Sequence, residues 1–98
     1  GELGLLGIPW SEELGGAGLD TISFIIAIEE LARVCASHSI TISAHTTLGT
    51  SPIVNFGNKA QIQRYVPRLA SGKVLGGFGL TEPNAGSDAG GTQTRAVK

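Results

Sequence analysis

Residues 20–36 read DTISFIIAIEELARVCA, and this stretch decides the fold class of the chain. Its apolar residues recur at positions 22, 25, 26, 28, 31, 32 and 35, which fits the 3.6-residue period of a helix better than the two-residue period of a strand. Asp20 is a suitable N-cap. We therefore expect a helix over about 21–36 that is buried along a broad face, with Glu29, Glu30 and Arg33 toward its more solvent-exposed side.

A second helix is predicted over about 40–56, after a break at residues 37–39. Pro52 lies inside this stretch, and an internal proline removes a backbone donor and clashes with the preceding turn. We therefore expect a kink or a restart at Pro52. Gly57 is predicted to end the helix as a left-handed C′ residue.

A third helix is predicted from Asn58 to Gly72, because Asn58 with Gln61 three residues later forms a capping-box pattern. Beyond Gly72 the pattern changes, and residues 74–81 are predicted to form a glycine-weakened strand. The expected fold class is thus mainly α, with a domain boundary near 72–76.

Composition excludes several function classes. The 98 residues carry 7 Lys and Arg against 8 Asp and Glu, so a large footprint on a nucleic acid is not expected. The longest apolar run, residues 24–28, is too short to span a bilayer. The single Cys35 allows no internal disulfide and no metal cluster, and His38 and His45 are expected to be structural or solvent-facing. Because the chain starts at Gly1 and contains no Met, we expect it to be an internal piece of a longer protein.

Glycine is concentrated near both ends of the chain, and the later cluster begins at residue 72. Residues 86–92 have the glycine spacing of a phosphate-binding P-loop but lack the Lys that should precede Thr92. Gly77 and Gly79 would need a third glycine where Glu82 stands to form a dinucleotide motif. Neither nucleotide motif is present, so spacing alone leaves an ordinary loop or an anion-binding concavity open.

Residues 79–91, GLTEPNAGSDAGG, resemble the first signature of the acyl-CoA dehydrogenases at every fixed position. Residues 12–18 resemble the upstream glycine loop of that family, although Ser11 stands where the family usually has Pro. The blocks at 29–32, 56–61 and 69–72 recur in the same order. The sequence at residues 35–37 and 43–46 is most similar to that of the short-chain or butyryl-CoA branch of the family.

The resemblance implies a multidomain flavoenzyme. Residues 1–72 would be part of the N-terminal helical domain, and residues 73–98 would open a middle β-barrel-like domain with its first strand. The implied reaction is α,β-dehydrogenation of an acyl-CoA thioester, in which a glutamate removes the α-proton and the β-hydrogen leaves as hydride to N5 of FAD. The implied partners are the acyl-CoA substrate, an electron-transferring flavoprotein and three further copies in a homotetramer. The implied compartment is the cytoplasm in bacteria or the mitochondrial matrix in eukaryotes.

The resemblance also assigns site residues. The residues expected to bind the cofactor are Phe78, Gly79, Leu80, Thr81, Gly86 and Ser87. Those expected to border the substrate are Ser87, Thr41, Ala44 and Leu48. The last three share a helix face by their i, i+3, i+7 spacing, so plain helix packing is an equally good interpretation of them.

Glu82 is not expected to be the proton-removing base, because the family supplies that glutamate from its C-terminal domain. We therefore expect no catalytic residue in this chain, no metal, and no activity or stable fold from the 98 residues alone. Two alternatives stay open: an enoyl-CoA reductase that runs in reverse with an electron-transferring flavoprotein, and a non-catalytic acyl-CoA-binding homologue.

Overall fold

The computed structural model describes residues 1–97, and these are mainly helical, as expected. The α-helices are α1 (Thr21–Val34), α2 (Ala36–Ala44), α3 (Ser51–Phe56) and α4 (Lys59–Ala70). A π-helical turn, His45–Thr50, joins α2 to α3, and short 3-10 turns lie at Glu12–Leu14 and Ala89–Gly91. The buried apolar residues come from the N-terminal loop, α1, α4 and the tail: Leu6, Ile8, Phe24, Val66, Leu69, Ala70 and Ala85.

Helix α1 begins as the sequence predicts. The Asp20 side chain accepts hydrogen bonds from the backbone N–H of Ser23 at 2.8 Å and from its hydroxyl at 2.7 Å. These bonds favour the carboxylate and lower the pKa of Asp20. The helix ends at Val34, two residues before the expected end.

The expected break at residues 37–39 is wrong. The break falls at Cys35, which is extended with φ −152° and ψ 101°, and residues 37–39 lie inside α2. Ser39 is buried there because its hydroxyl donates to the Ile28 carbonyl of α1 at 2.9 Å. Ser39 therefore fastens α2 to α1 instead of separating the two helices.

The expected burial of a broad α1 face is also wrong within this chain. Phe24 is buried, whereas Ile22, Ile25 and Ile26 are 68%, 56% and 55% exposed. The physical reason is that, among the described elements, α2 is the one that packs along α1. One neighbouring helix cannot cover a stripe that extends around much of α1.

The predicted second helix is three elements instead of one. Pro52 is the second residue of α3, so the expected restart is confirmed. Gly57 is not left-handed: its φ is −71° and its ψ is 149°. Gly57 and Asn58 both take extended conformations, because two residues alone separate α3 from α4 and the chain must enter the next N-cap directly.

The predicted capping box at the start of α4 is confirmed. Asn58 accepts from the Gln61 N–H at 2.9 Å, and the Gln61 side chain accepts from the Asn58 N–H at 2.8 Å. Pro67 lies in the last turn, and the helix ends at Ala70, two residues before the expected end. Gly72 takes the left-handed conformation, with φ +71°.

The strand predicted over 74–81 does not form in the described residues. No other extended segment of residues 1–97 pairs with it, so its backbone groups have no ladder to join. The tail contains one isolated antiparallel bridge, between Glu82 and Ala85. Within residues 1–97, no helix has both the length and the apolar character needed to cross a membrane.

Candidate functional site

The segment 78–81, which carries four of the expected cofactor contacts, lies on the surface. Phe78 and Leu80 are 54% and 45% exposed, and Gly79 and Thr81 are exposed as well. No hydrogen bond joins this segment to the rest of the described chain. Its backbone donors and acceptors are thus available to a bound group.

The glycines of the tail leave open space beside the backbone. A Cβ built at Gly77, Gly79 or Gly86 would meet no heavy atom within 4 Å. None of these glycines has a positive φ. Neither packing nor backbone conformation within residues 1–97 therefore requires glycine there, whereas close approach of a ligand to the backbone would.

A loop closed by Glu82 follows this segment. Glu82 and Ala85 exchange two backbone hydrogen bonds, of 2.9 Å and 3.1 Å. The Glu82 carboxylate also accepts from the backbone N–H groups of Gln93 at 2.8 Å and Thr94 at 3.0 Å. This loop presents Gly86 and Ser87 at the surface, directly after the buried Ala85.

The same bonds favour the ionised form of Glu82. The N–H of Gln93, followed by the groups of Thr94, stabilises the carboxylate and lowers the pKa of Glu82. A general base that removes a weakly acidic carbon-bound proton needs a raised pKa instead. Glu82 is suited to holding the loop and not to proton abstraction.

The three helix residues expected to border the substrate do not converge on one cavity. Thr41 lines a groove of about 580 Å³ between the N-terminal loop, α2 and Leu75, and its hydroxyl donates to the Ser37 carbonyl at 2.8 Å. Ala44 is half-buried at the end of α2. Leu48, which is 49% exposed, lies in the π-helical turn, where the wider i→i+5 bonding breaks the i+7 register with Thr41.

The two histidines have different environments. His38 is exposed on α2, and its Nδ1 lies 3.0 Å from Cys35 Sγ. His45 is 1% exposed and bonds on both ring nitrogens, so it is structural, as one of the two expectations had it. Among residues 1–97, His, Cys, Asp and Glu side chains form no group of three that could hold a metal ion.

Sequence reasoning missed what His45 connects. Its partners are the Leu69 carbonyl and the Gly76 N–H, 24 and 31 residues further along the chain. No spacing rule links residues so far apart. The available signal was weaker: a titratable side chain in an uncharged helix, four residues before Gly49.

Comparison with known proteins identifies relatives over nearly the whole chain. The sequence model described as acyl-CoA dehydrogenase, N-terminal domain, matches residues 1–73. A probable acyl-CoA dehydrogenase of Bacillus subtilis is 57% identical over 99% of this chain and 26% of its own length. A short-chain specific acyl-CoA dehydrogenase of Clostridium acetobutylicum is 52% identical, again over 99% of this chain and 26% of its own.

Solved structures agree. Butyryl-CoA dehydrogenase from Megasphaera elsdenii superimposes with a TM-score of 0.87 at 47% identity, over 94% of this chain and 25% of that one. An acyl-CoA dehydrogenase from Bacillus anthracis complexed with FAD gives a TM-score of 0.85 at 47% identity, over 93% and 16%. A structure described as the electron transferring flavoprotein of Acidaminococcus fermentans gives 0.90 at 48% identity, over 94% and 24%. The chain spans about a quarter of the length of the curated relatives it matches.

Proposed function

This chain belongs to the acyl-CoA dehydrogenase family, and from that membership we propose that the complete protein is a FAD-dependent dehydrogenase of short-chain acyl-CoA thioesters. The observation that carries the proposal is the unbroken signature at residues 79–91. The exposure of segment 78–81 and of the Gly86–Ser87 turn supports it, because a signature buried in packing would need no ligand to explain it.

The residues present fit a flavin. Bound FAD would accept the hydride that leaves the β-carbon of the substrate. Segment 78–81 offers unbonded backbone N–H and C=O groups to a ring edge, and the open faces of Gly79 and Gly86 admit close approach. The similar Bacillus anthracis enzyme is complexed with FAD, which supports the same cofactor here.

Individual roles follow from chemistry and position. The Thr81 hydroxyl is exposed and can donate a hydrogen bond to the flavin edge, where negative charge arrives with the hydride. Backbone N–H groups near Gly86, together with the Ser87 hydroxyl, suit the pyrophosphate and the neighbouring thioester. Glu82 stays ionised and holds the loop, so the α-proton goes to a carboxylate elsewhere in the complete protein.

The residues proposed to border the substrate lie on α2, in the π-helical turn and in the tail. We propose that Thr41, which lines the 580 Å³ groove, borders the acyl chain, that Ala44 and Leu48 border it outside that groove, and that Ser87 borders the thioester. The short-chain preference is supported by relatives described as short-chain specific and as a butyryl-CoA dehydrogenase. Packing of the complete protein remains the competing explanation for Ala44, which is half-buried on α2.

Membership of the acyl-CoA dehydrogenase family also leads us to propose a domain arrangement and partners for the complete protein. Residues 1–72 belong to the N-terminal helical domain, and residues 73–98 begin the middle domain, where a partner segment would convert 74–81 into its first strand. A homotetramer and electron transfer to an electron-transferring flavoprotein complete the proposal. Relatives from bacteria and from human mitochondria support a cytoplasmic location in a bacterium or a mitochondrial one in a eukaryote.

The test is a substrate panel on the complete gene product that contains these 98 residues. Turnover is measured with acyl-CoA thioesters of increasing chain length and an artificial electron acceptor. We expect the highest kcat/KM for short chains. A preference for long chains would contradict the substrate class, and no turnover with any thioester would support the non-catalytic acyl-CoA-binding alternative.

The reverse reaction is the second candidate. Its support is the match to a structure described as an electron transferring flavoprotein and concerned with flavin-based electron bifurcation. The assay supplies a short enoyl-CoA and a reduced electron-transferring flavoprotein. A higher rate of enoyl-CoA reduction than of acyl-CoA dehydrogenation would assign the enzyme as a reductase.

A further inference from the structure

His45 has a fixed tautomer because its two partners permit only one. The Leu69 carbonyl can only accept, so Nε2 carries the proton and donates to it at 3.1 Å. The Gly76 N–H can only donate, so Nδ1 is unprotonated and accepts from it at 2.9 Å. The buried ring is therefore a neutral bridge from the end of α4 to the start of the tail.

The backbones of the π-helical turn and the tail cross beside this ring. A Cβ built at Gly49 would lie 2.6 Å from the Gly76 carbonyl carbon, and one at Gly76 would lie 3.0 Å from the Gly49 Cα. The first distance is too short for a side chain and the second is tighter than most real Cβ contacts, so the crossing requires glycine at position 49 and favours it at position 76. The π-helical turn itself is braced by the buried Thr50 hydroxyl, which donates to the His45 carbonyl at 2.9 Å.

The bond at Gly76 is the last one before the exposed segment. Val74 N–H donates to the Arg68 carbonyl at 3.2 Å, Gly76 N–H donates to His45, and the next bonded group in the described chain is Glu82. Segment 78–81 begins two residues after Gly76. Its attachment to the helices is thus the His45 bridge at Gly76, because the bonds of the Glu82 loop on its other side join only residues of the tail.

We propose that His45 is the positioning residue for segment 78–81: the neutral imidazole ties Gly76 to α4 and holds the segment ready for the flavin. This inference rests on the proposed function. His45 lies in the helical layer and is not among the residues expected to touch the cofactor. It acts through Gly76, by restricting the freedom that flavin binding would otherwise have to remove.

Two substitutions separate the halves of the bridge. In His45→Asn the side-chain oxygen can occupy the place of Nδ1 and still accept from Gly76. In His45→Gln the side-chain nitrogen can occupy the place of Nε2 and still donate to Leu69, but the Gly76 bond is lost. Both variants remove one buried hydrogen bond, so a purely structural role predicts similar loss of stability and of FAD in the two.

The experiment measures the Kd for FAD on the apo form of the complete protein, with thermal unfolding recorded in parallel. We expect His45→Gln to bind FAD about ten-fold more weakly than wild type, which corresponds to one lost hydrogen bond. We expect His45→Asn to stay within about two-fold, although both variants unfold at lower temperature. His38→Gln, on the exposed histidine, is the matched control and should bind as wild type does.

The outcomes distinguish the inference from the proposed function. Wild-type protein that binds no FAD would overturn both. Wild type that binds FAD together with an unchanged His45→Gln, or with equal losses in His45→Gln and His45→Asn, would overturn the positioning role alone.

A hydrogen-exchange measurement on wild type serves if His45→Gln does not fold. We expect the Gly76 amide to be protected in both the apo and the FAD-bound protein, and the amides of segment 78–81 to gain protection with FAD. If the Gly76 amide exchanges as fast as the Gly77 amide in the apo protein, the hydrogen bond from Gly76 to His45 is not formed before FAD binds, and the inference is contradicted.

Discussion

Thr81 is the side chain of this chain on which the proposed chemistry depends most. Its hydroxyl is exposed and makes no hydrogen bond within the described residues, so it is available to a flavin. Thr81→Ala removes the donor, and we expect the rate of flavin reduction in the complete protein to fall at least about ten-fold. Stopped-flow absorbance at the flavin band measures that rate.

Thr81→Ser provides the matched control because it keeps the hydroxyl. We expect it to retain most of the rate, and Thr94→Ala, whose backbone N–H already serves Glu82, should leave the rate unchanged. Equal rates in wild type and Thr81→Ala would exclude a role for the hydroxyl in hydride transfer.

His45 gives stability a defined dependence on pH. Burial, opposed in part by the Leu69 carbonyl, lowers the pKa of His45 below its ordinary value of 6.5, and no charged side chain of the described residues contributes. Between the ordinary and the lowered pKa the unfolded chain binds more protons than the native one. Stability from this group is therefore complete above pH 6.5 and falls as the pH falls through that window.

Other titrating groups can be separated from His45. Glu82 and Asp20, each with a lowered pKa, lose their contribution only below their ordinary pKa values of 4.5 and 3.8. The Cys35 side chain raises the pKa of the exposed His38, so that group acts in the opposite direction, and the comparison is made in a His38→Gln background. Urea unfolding of the complete protein between pH 7.5 and 5 should show a fall in midpoint that His45→Gln makes smaller. A midpoint that rises toward pH 5 would contradict the neutral buried imidazole.

At the scale of elements, the capping box of α4 has a measurable effect. Asn58→Ala removes the acceptor for the Gln61 N–H, and we expect the first turn of α4 to open more easily by about 1 kcal/mol. Native-state hydrogen exchange at the Gln61 and Ile62 amides measures that opening. Asn55→Ala, in an exposed side-chain bond to Ser51, is the control, and equal exchange in both variants would contradict the cap.

Elements that depend on neighbouring residues were predictable from the sequence. The Asp20 and Asn58 caps act within three residues, so their patterns locate both helix starts. The signature at 79–91 likewise identified the family from residue types alone. The segment predicted as a strand failed, because a strand exists only where another segment of chain lies beside it.

The π-helical turn explains a second group of differences. The sequence between 40 and 56 predicts one interrupted helix, yet the close crossing of Gly49 and Gly76 and the buried His45 produce a local change in hydrogen bonding. These are contacts with a segment some 30 residues away, which local propensity does not encode. The same change moves Leu48 out of the face that simple helical spacing assigns to it.

At the scale of the whole molecule, the chain exposes more surface than an independent domain of its mass. Its accessible surface is 7130 Å², against about 5,200 Å² for a compact 10 kDa protein. Its radius of gyration is 14.7 Å, against roughly 13 Å for a compact domain of this length. Fourteen large apolar side chains are exposed in the described residues, including three isoleucines of α1.

We therefore expect the 98 residues alone to be inactive and without a cooperative fold. The isolated peptide should lose far-UV circular dichroism gradually on heating, and it should bind a dye specific for exposed apolar surface. It should not bind FAD saturably. A sharp thermal transition together with saturable FAD binding would show that the chain is an independent domain.

We have proposed that the exposed signature of this chain belongs to a flavin site that oxidises short acyl-CoA thioesters. Anaerobic titration of the complete purified protein with butyryl-CoA tests it most directly, with flavin absorbance as the readout. We predict a yellow protein with bound FAD whose visible absorbance bleaches on addition of butyryl-CoA. A colourless protein that takes up no FAD, or a flavin band that butyryl-CoA leaves unchanged, would contradict this function.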